Sequence, residues 1–380
     1  MSQETKTETC IRTIPLELQT SNWKNDGVQE FIDEMGDVME WMCSILPTYP
    51  VHRWGNDTHL YRHMGKQFPS EERSYYANHY QAAQTKVISS FNSWDSNGRP
   101  GNKPTPSSGN FAPMNAKYIK IEKNNGSFGA HLKFEPYTSG LDLWFGINES
   151  PYSRPYLEDV IDDNETSIGG SELHLHDDGS LYLHLVVKWP VEVYKKDTVD
   201  RYLGVDLNID PMVAMTVVDS DGEIDGVEME SGKEFHHHRE RLKKKKAQSQ
   251  KNRSEHRVLW QKYTDNITNN ASRRVVDYAA ENAPIVIRLE DLTHYRESAQ
   301  NPIHDWPYAE IQNKIKYKAL EKRIPVETVN PRYTSITCRK CGVTNKTSRI
   351  TRDKFDCCNC DYEVDADVNA AYNIATGGVV

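Results

Sequence analysis

Four cysteines near the end of the chain have the spacing of a metal knuckle. Cys338 and Cys341 form one C-x2-C pair, Cys357 and Cys360 another, with fifteen residues between them. Thiolates in this pattern predict a closed, tetrahedral, structural Zn²⁺ site, in which zinc shapes the chain and does no chemistry. Cys358 fits neither pair. Directly after them Asp365 and Asp367 open a helical stretch. Asp365 fits the N-cap, so its side chain is committed to backbone N–H groups and Asp367 is left for another task.

Two further acids are costly as plain structure. Asp206 sits in the apolar run Leu203-Gly204-Val205-Asp206-Leu207, and Glu290 ends the run Ile285-Val286-Ile287-Arg288-Leu289. An unpaired charge in a buried strand costs several kcal/mol, on the order of 3 to 5. Asp206, Glu290 and Asp367 together suit phosphodiester hydrolysis. That reaction needs an activated water and a neutralised leaving oxygen, which two Mg²⁺ (or Mn²⁺) ions held by carboxylates supply. Taken singly, each acid also reads as a strand end or a helix N-terminus favoured by the dipole. Asn208 and Asn369 read equally as polar helpers or as turn and helix residues.

The elements that must bring the acids together follow in order. Residues 202–208, 212–218 and 224–229 read as three strands. Lys233 to Asn282 reads as a long basic helical region broken near Ser249 to Ser254. A buried strand over 284–292, a helix over 308–322 and a strand over 325–329 precede the cysteines and the last helix. The order β-β-β-α-β-α-β-α, with antiparallel strands first, predicts an α/β nuclease domain of RNase H-like layout with the zinc ribbon inserted before its final helix.

The first half has a different character. Residues 9–19 alternate as a strand. Val28, Phe31, Ile32, Met35, Val38, Met39, Met42, Ile45 and Leu46 recur with a period near 3.6, and a second helix is expected from Glu71 to Trp94. Its tyrosines read as interhelical packing. Asn124-Asn125-Gly126 signals a tight hairpin. A second hairpin runs from Leu173 to Val187, and His174, His176 and His184 on its other face read as solvated, with no carboxylate spacing in support of a metal. The expected organisation is 1–24, first strand of a small β-domain; 25–95, helical insertion; 96–200, remainder of the β-domain; 201–336, nuclease domain; 337–362, zinc ribbon; 363–380, last helix and C-terminus.

Net charge is −9, yet it is unevenly spread. Residues 1–200 hold 18 basic and 28 acidic residues, whereas 231–262 hold 11 and 3, and 311–354 hold 12 and 3. Contact with nucleic-acid phosphates is local, because salt screens charges beyond roughly 8–10 Å. Arg239, Arg241, Lys243, Lys244, Lys245, Lys246, Arg253, Arg257, Lys340 and Arg349 are therefore the candidate nucleic-acid contacts. The N-terminus lacks the apolar core of a signal peptide, and no apolar run reaches the ~20 residues of a membrane span. A cytoplasmic, nucleoid-associated protein is expected. Five cysteines crowded into 338–360 agree with a reducing compartment.

At these residues the second half resembles the TnpB/OrfB-type proteins of insertion sequences. The carrying motifs are Gly204-Val205-Asp206-Leu207, Leu289-Glu290-Asp291-Leu292 and Tyr333-Thr334-Ser335. With them come Cys338-Arg339-Lys340-Cys341-Gly342, Phe355-Asp356-Cys357-Cys358-Asn359-Cys360 and Asp365-Ala366-Asp367-Val368-Asn369-Ala370-Ala371. Asp361 and Ile336 depart from the family pattern. The resemblance implies an RNA-guided DNA endonuclease with Asp206, Glu290 and Asp367 as catalytic metal ligands and the four cysteines on zinc. It also implies that the nuclease domain is RuvC-type, that the first half is a β-barrel (1–24 and 96–200) interrupted by a helical recognition insertion (25–95), and that a guide RNA from the same element and a double-stranded DNA target are the partners. Two other readings share these residues: a catalytically silent DNA- or RNA-binding regulator of transposition, and a transposase that performs strand transfer itself.

Overall fold

The computed structural model describes residues 4–50, 54, 63, 65–69, 72–96, 102–106, 110–135, 142–248, 253–291 and 307–377. Within its helices the side chains of 239, 242, 243, 245–248 and 253–258 lie outside that description. The chain divides into two units. One comprises Ile11–Pro190; the other comprises Met1–Cys10 with Val191–Val380. Both mix helix and sheet. Among the described residues no helix is long and apolar enough to cross a membrane.

The Ile11–Pro190 unit is built on strands β1 (Thr5–Gln19), β2 (Phe111–Met114), β3 (Ile119–Asn124), β4 (Ser127–Lys133), β5 (Asp142–Asn148), β6 (Ser167–Ile168), β7 (Ser171–Leu175) and β8 (Leu181–Tyr194). Their pairing order is β2-β7-β8-β1-β5-β4-β3, with β6 on β8. The expected hairpin turn lies between β3 and β4, where Asn125 and Gly126 both take positive φ (50° and 85°). That is the backbone a two-residue hairpin needs and the reason Asn-Gly marks one.

Helix α1 (Asn22–Ile45) buries seven of the nine apolar residues picked out by their period; Ile45 is half-buried, and the buried Leu46 lies just past the helix end. Helix α2 spans Ala77–Ser96, beginning six residues after the expected Glu71. The cause is local: the Tyr76 N–H donates to Phe134 O at 3.0 Å, so the chain before Ala77 is tied to a strand end instead of to a helical turn. The aromatics of this region pack inward, as Tyr76 stacking on Tyr118 at 4.2 Å illustrates. A short helix α3 (Arg154–Asp162) completes the unit.

In the other unit β9 (Tyr202–Leu207), β10 (Val213–Val218), β11 (Ile224–Glu230), β12 (Val286–Glu290) and β13 (Val326–Val329) form one sheet in the order β11-β10-β9-β12-β13. β9, β10 and β11 are antiparallel neighbours, whereas β12 runs parallel to both β9 and β13. The parallel pairs require crossover connections, and the helices α4 (Lys233–Gln248), α5 (Arg253–Glu281) and α6 (Tyr308–Glu321) lie within them. A two-stranded ribbon, β14 (Lys354–Asp356) with β15 (Glu363–Asp365), leads into α7 (Ala366–Ala375).

Period-2 alternation then sorts the sheet's residues by face. Leu203, Val205 and Leu207 of β9, Val213, Met215 and Val217 of β10, and Ile287 and Leu289 of β12 share one apolar cluster. Ala271, Val275, Val276 and Ala279 of α5, with Ile311, Ile315 and Ala319 of α6, complete it. The alternate residues Gly204, Asp206, Arg288 and Glu290 look to the opposite face, which α7 covers. A Cβ on Gly204 would stand 1.9 Å from Ala371 O and 2.5 Å from Ala375 N, so α7 lies directly on the β9 backbone there. The small residues Ala370, Ala371 and Ala375 of α7 permit this approach, and all three are buried.

Candidate active site

The three acids named from sequence sit on that opposite face. Asp206 is the next residue outward from Gly204 on the same side of β9, and Glu290 closes β12 on the same side. Asp365 caps α7, its carboxylate accepting from the N–H groups of Asp367 and Val368. The cap leaves Asp367 in the first helical turn, aimed at the sheet.

Asn208 joins two of the acids. Its Nδ2 donates to Asp206 Oδ2 at 2.8 Å and to Asp367 Oδ1 at 2.9 Å. Thr334 serves the third, donating through Oγ1 to Glu290 Oε1 at 2.6 Å. Thr334 is in turn held from α7, where Asn373 Nδ2 donates to Thr334 O at 2.7 Å and to Thr337 O at 2.8 Å. Asn369 Nδ2 also donates to Thr337 O, at 2.8 Å, and its Oδ1 accepts from the Arg339 N–H. One buried helix therefore carries Asp367 and also anchors the loop that orients Glu290.

The electrostatics are those of acids held close together with little water. Asp206 is 7% exposed and Asp367 is 1% exposed. Burial, then the neighbouring Glu290 and Asp367 charges, push the Asp206 carboxyl well above its usual range. Burial raises Glu290 too, against the Thr334 hydrogen bond. Asp367 is pushed up to about 6 by burial, opposed chiefly by the Arg349 guanidinium. Arg349 Nη2 lies 3.3 Å from Asp367 Oδ1 and donates to Arg352 O at 2.8 Å.

These residues fit a divalent cation. Asp367 Oδ2 is buried with no hydrogen-bond partner. Such an atom pays its desolvation cost uncompensated unless a proton or a cation meets it. The acids do not close into one tight shell. Among the described residues, the groups with ligand atoms within 4.8 Å of one another are the four cysteines and a separate Glu172, His174, His184 cluster.

Cys338, Cys341, Cys357 and Cys360 form a group able to hold a metal ion. Cys338 Sγ lies 3.7 Å from Cys360 Sγ, and Cys341 Sγ 3.6 Å from Cys357 Sγ. Tetrahedral thiolates at a metal–sulfur distance of ~2.3 Å are separated by about 3.8 Å, so the four sulfurs are already spaced for one ion. The N–H and side-chain amide of Asn359 point at Cys357 Sγ and Cys341 Sγ. Cys358 stands outside the group, exposed, with its N–H donating to Ser348 Oγ.

The candidate nucleic-acid contacts fare differently from one another. Arg241 and Lys244 are exposed on α4. The side chains of Arg239, Lys243, Lys245, Lys246, Arg253 and Arg257 lie outside the described residues, although their backbone is helical. Lys340 is paired with Asp361 at 2.6 Å on the surface. Arg349 turns towards Asp367 instead of outwards. The residues that sequence reasoning undervalued are Asn208 and Thr334. The signal for Asn208 was parity with Gly204 and Asp206; Thr334 was marked only as part of the Tyr333-Thr334-Ser335 motif, with no role given to its hydroxyl.

Comparison with known proteins matches residues 308–374 to the Cas12f1-like, TNB domain family. A CRISPR-associated endodeoxyribonuclease Cas12f1 of Sulfoacidibacillus thermotolerans is 40% identical over 113 residues, 30% of this chain and 27% of that one. A TnpB-like protein of Aquifex aeolicus (strain VF5) is 30% identical over 129 residues, 30% of this chain and 42% of that one. The matched segments thus span well under half of either relative. A chain from the cryo-EM structure of a Cas12f1-sgRNA-target DNA complex superposes with a TM-score of 0.54 at 16% identity. That superposition covers 98% of this chain and 99% of the other, a likeness of fold.

Proposed function

We propose that the chain is a TnpB/OrfB-type protein, a metal-dependent DNA endonuclease guided by an RNA from its own element. Its nuclease domain is RNase H-like and RuvC-type, with Asp206, Glu290 and Asp367 as ligands for Mg²⁺ or Mn²⁺. The zinc ribbon is the Cys338, Cys341, Cys357, Cys360 group, with Zn²⁺ as the ion its four thiolates select. The N-terminal half is the barrel with a helical insertion, and the domain limits are those read from the sequence. Guide RNA and double-stranded DNA are the partners.

The observation that carries this reading is Asn208 donating to both Asp206 and Asp367, beside a buried, unpartnered Asp367 oxygen. Bound divalent ions would supply charge for the attacking water and the leaving oxygen. The chain's own residues set the geometry. Asp206 is fixed by a central strand, Glu290 by Thr334, and Asp367 by its helix and Asn208. Rigid elements bearing each ligand are what precise positioning of a scissile phosphate requires.

The test is cleavage of a guide-matched DNA by the reconstituted ribonucleoprotein. Asp206→Ala and Glu290→Ala should each abolish cleavage and leave RNA and DNA binding intact. Full cleavage by either variant would remove the assigned site. Binding without cleavage by the unaltered chain would favour a silent regulator, and joined products would favour strand transfer. Sequencing RNA that co-purifies with the chain tests guidance separately from nuclease chemistry.

A further inference from the structure

The Ile11–Pro190 unit holds a second cluster of metal-ligating side chains, on the β7–β8 hairpin. Glu172 lies directly across from His184 in the antiparallel register, and His174 follows two residues after Glu172. Alternation therefore sets all three on one face, while Leu173, Leu183 and Leu185 are buried on the other. The reading of these histidines as solvated, with no carboxylate in support, overlooked Glu172, which stands two residues before His174 on the same face and meets His184 through the strand register.

The three groups converge. One ligand atom from each lies within 4.8 Å of the others. His174 Nε2 is 3.1 Å from Glu172 Oε2, and the two imidazole rings have centroids 4.1 Å apart. Both side chains of the His174–Glu172 pair are about one-quarter exposed (25% and 26%), so solvent ions can reach them. Neighbours hold the donors in place. Lys86 Nζ takes the other carboxylate oxygen, Glu172 Oε1, at 2.5 Å. Phe111 stacks on the His174 ring at 5.1 Å and 15°.

We propose that Glu172, His174 and His184 form a binding site for a borderline divalent transition metal, Zn²⁺ being the reference case. Two imidazoles and one carboxylate match its donor preference, and water completes the shell. Mg²⁺ and Ca²⁺ call for all-oxygen shells and are poorly served. In a tetrahedral site with ligands at ~2.0–2.1 Å, donor atoms lie about 3.4 Å apart, so small side-chain rotations from the present arrangement suffice. Lys86 engages Oε1 and leaves Glu172 Oε2 to the metal, an outer contact of the kind that orients metal ligands. The ion would fasten β7 to β8 through ligands from both strands.

The test uses the full chain and a Zn²⁺ titration with metal analysis after desalting, alongside His184→Ala and Glu172→Gln. Each variant should bind one equivalent fewer than the unaltered chain. A Co²⁺ titration distinguishes this site from the cysteine group, because only the latter gives thiolate-to-metal charge-transfer absorption. The lost equivalent should carry ligand-field bands without it. Equal metal content in all three proteins would overturn the site. Should either variant fail to fold, the unaltered chain decides by NMR: the His174 and His184 ring signals must shift on adding one further equivalent of Zn²⁺, and unmoved signals overturn the proposal.

Discussion

Asn208 donates one amide group to Asp367 Oδ1 at 2.9 Å across a sequence separation of 159 residues, and to Asp206 Oδ2 at 2.8 Å. The amide is the physical link between the first strand of the sheet and the last helix of the chain. Asn208→Ala should therefore loosen both acids at once. Contacts of this kind are worth about 10- to 100-fold in metal affinity or activity. Cleavage rate measured against Mg²⁺ concentration should show a loss of that order and a raised Mg²⁺ requirement. An unchanged Mg²⁺ profile would mean that the bridge orients nothing.

Arg349 offsets the charge of Asp367 in the metal-free chain, from 3.3 Å. In Arg349→Gln the acids lose that compensation, so the metal-free chain should melt lower. Added Mg²⁺ should then raise the melting temperature of the variant more than that of the unaltered chain. Equal shifts would assign Arg349 to another task.

Gly204 has no room for a side chain beneath α7, where a Cβ would sit 1.9 Å from a backbone carbonyl oxygen. Gly204→Ala must push the helix off the sheet and move Asp367 with it. Overpacking of a rigid core costs typically 1–3 kcal/mol, and a backbone clash stands at the upper end, about 3 kcal/mol. Denaturant unfolding measures the loss, and DNA cleavage should fall with it.

Cys357 and Cys358 are adjacent but unequal. Cys357 Sγ lies 3.6 Å from Cys341 Sγ within the four-sulfur group, whereas Cys358 is exposed outside it. Cys357→Ser should lose one bound zinc and unfold the ribbon, because the free energy of a structural zinc site is folding free energy. Cys358→Ser should keep its zinc and melt as the unaltered chain does. Metal analysis and thermal melting of the two variants separate these outcomes.

His79 is fully buried on α2, with Nε2 3.0 Å from Lys133 O and Nδ1 lacking a partner. Burial lowers its pKa to about 4. The unfolded chain, near 6.5, binds the proton first, so stability is lost as pH falls through 6.5 and the loss levels off below 4. Between pH 7 and pH 5 the cost of this one group is about 2 kcal/mol. His79→Gln keeps a donor for Lys133 O and should lack that part of the pH dependence. Urea unfolding of both proteins at pH 7 and pH 5 makes the comparison.

Much of the candidate site was legible before any coordinates. The cysteine spacing, the apolar runs broken by Asp206 and Glu290, and the Asp365 cap are all local signals, written within a few residues of chain. Alternation along β9 placed Asp206 on one face with Gly204, because a strand's side chains can only alternate; that Glu290 joins them was set by the pairing of β12 with β9. The choice of Asp365 over Asp367 as the cap follows from helix geometry alone.

What the tertiary structure decided is which distant residues meet. Asn208 reaches Asp367 because α7 docks on Gly204 closely enough for backbone contact, and no local pattern encodes that distance. Thr334 meets Glu290 because α7 grips the loop through Asn369 and Asn373. Arg349, a candidate nucleic-acid contact on composition, turns inwards to Asp367. Glu172 faces His184 by strand register, which the packing of the whole sheet sets. Short-range chemistry names the parts; the packing of helix on sheet and strand on strand pairs them.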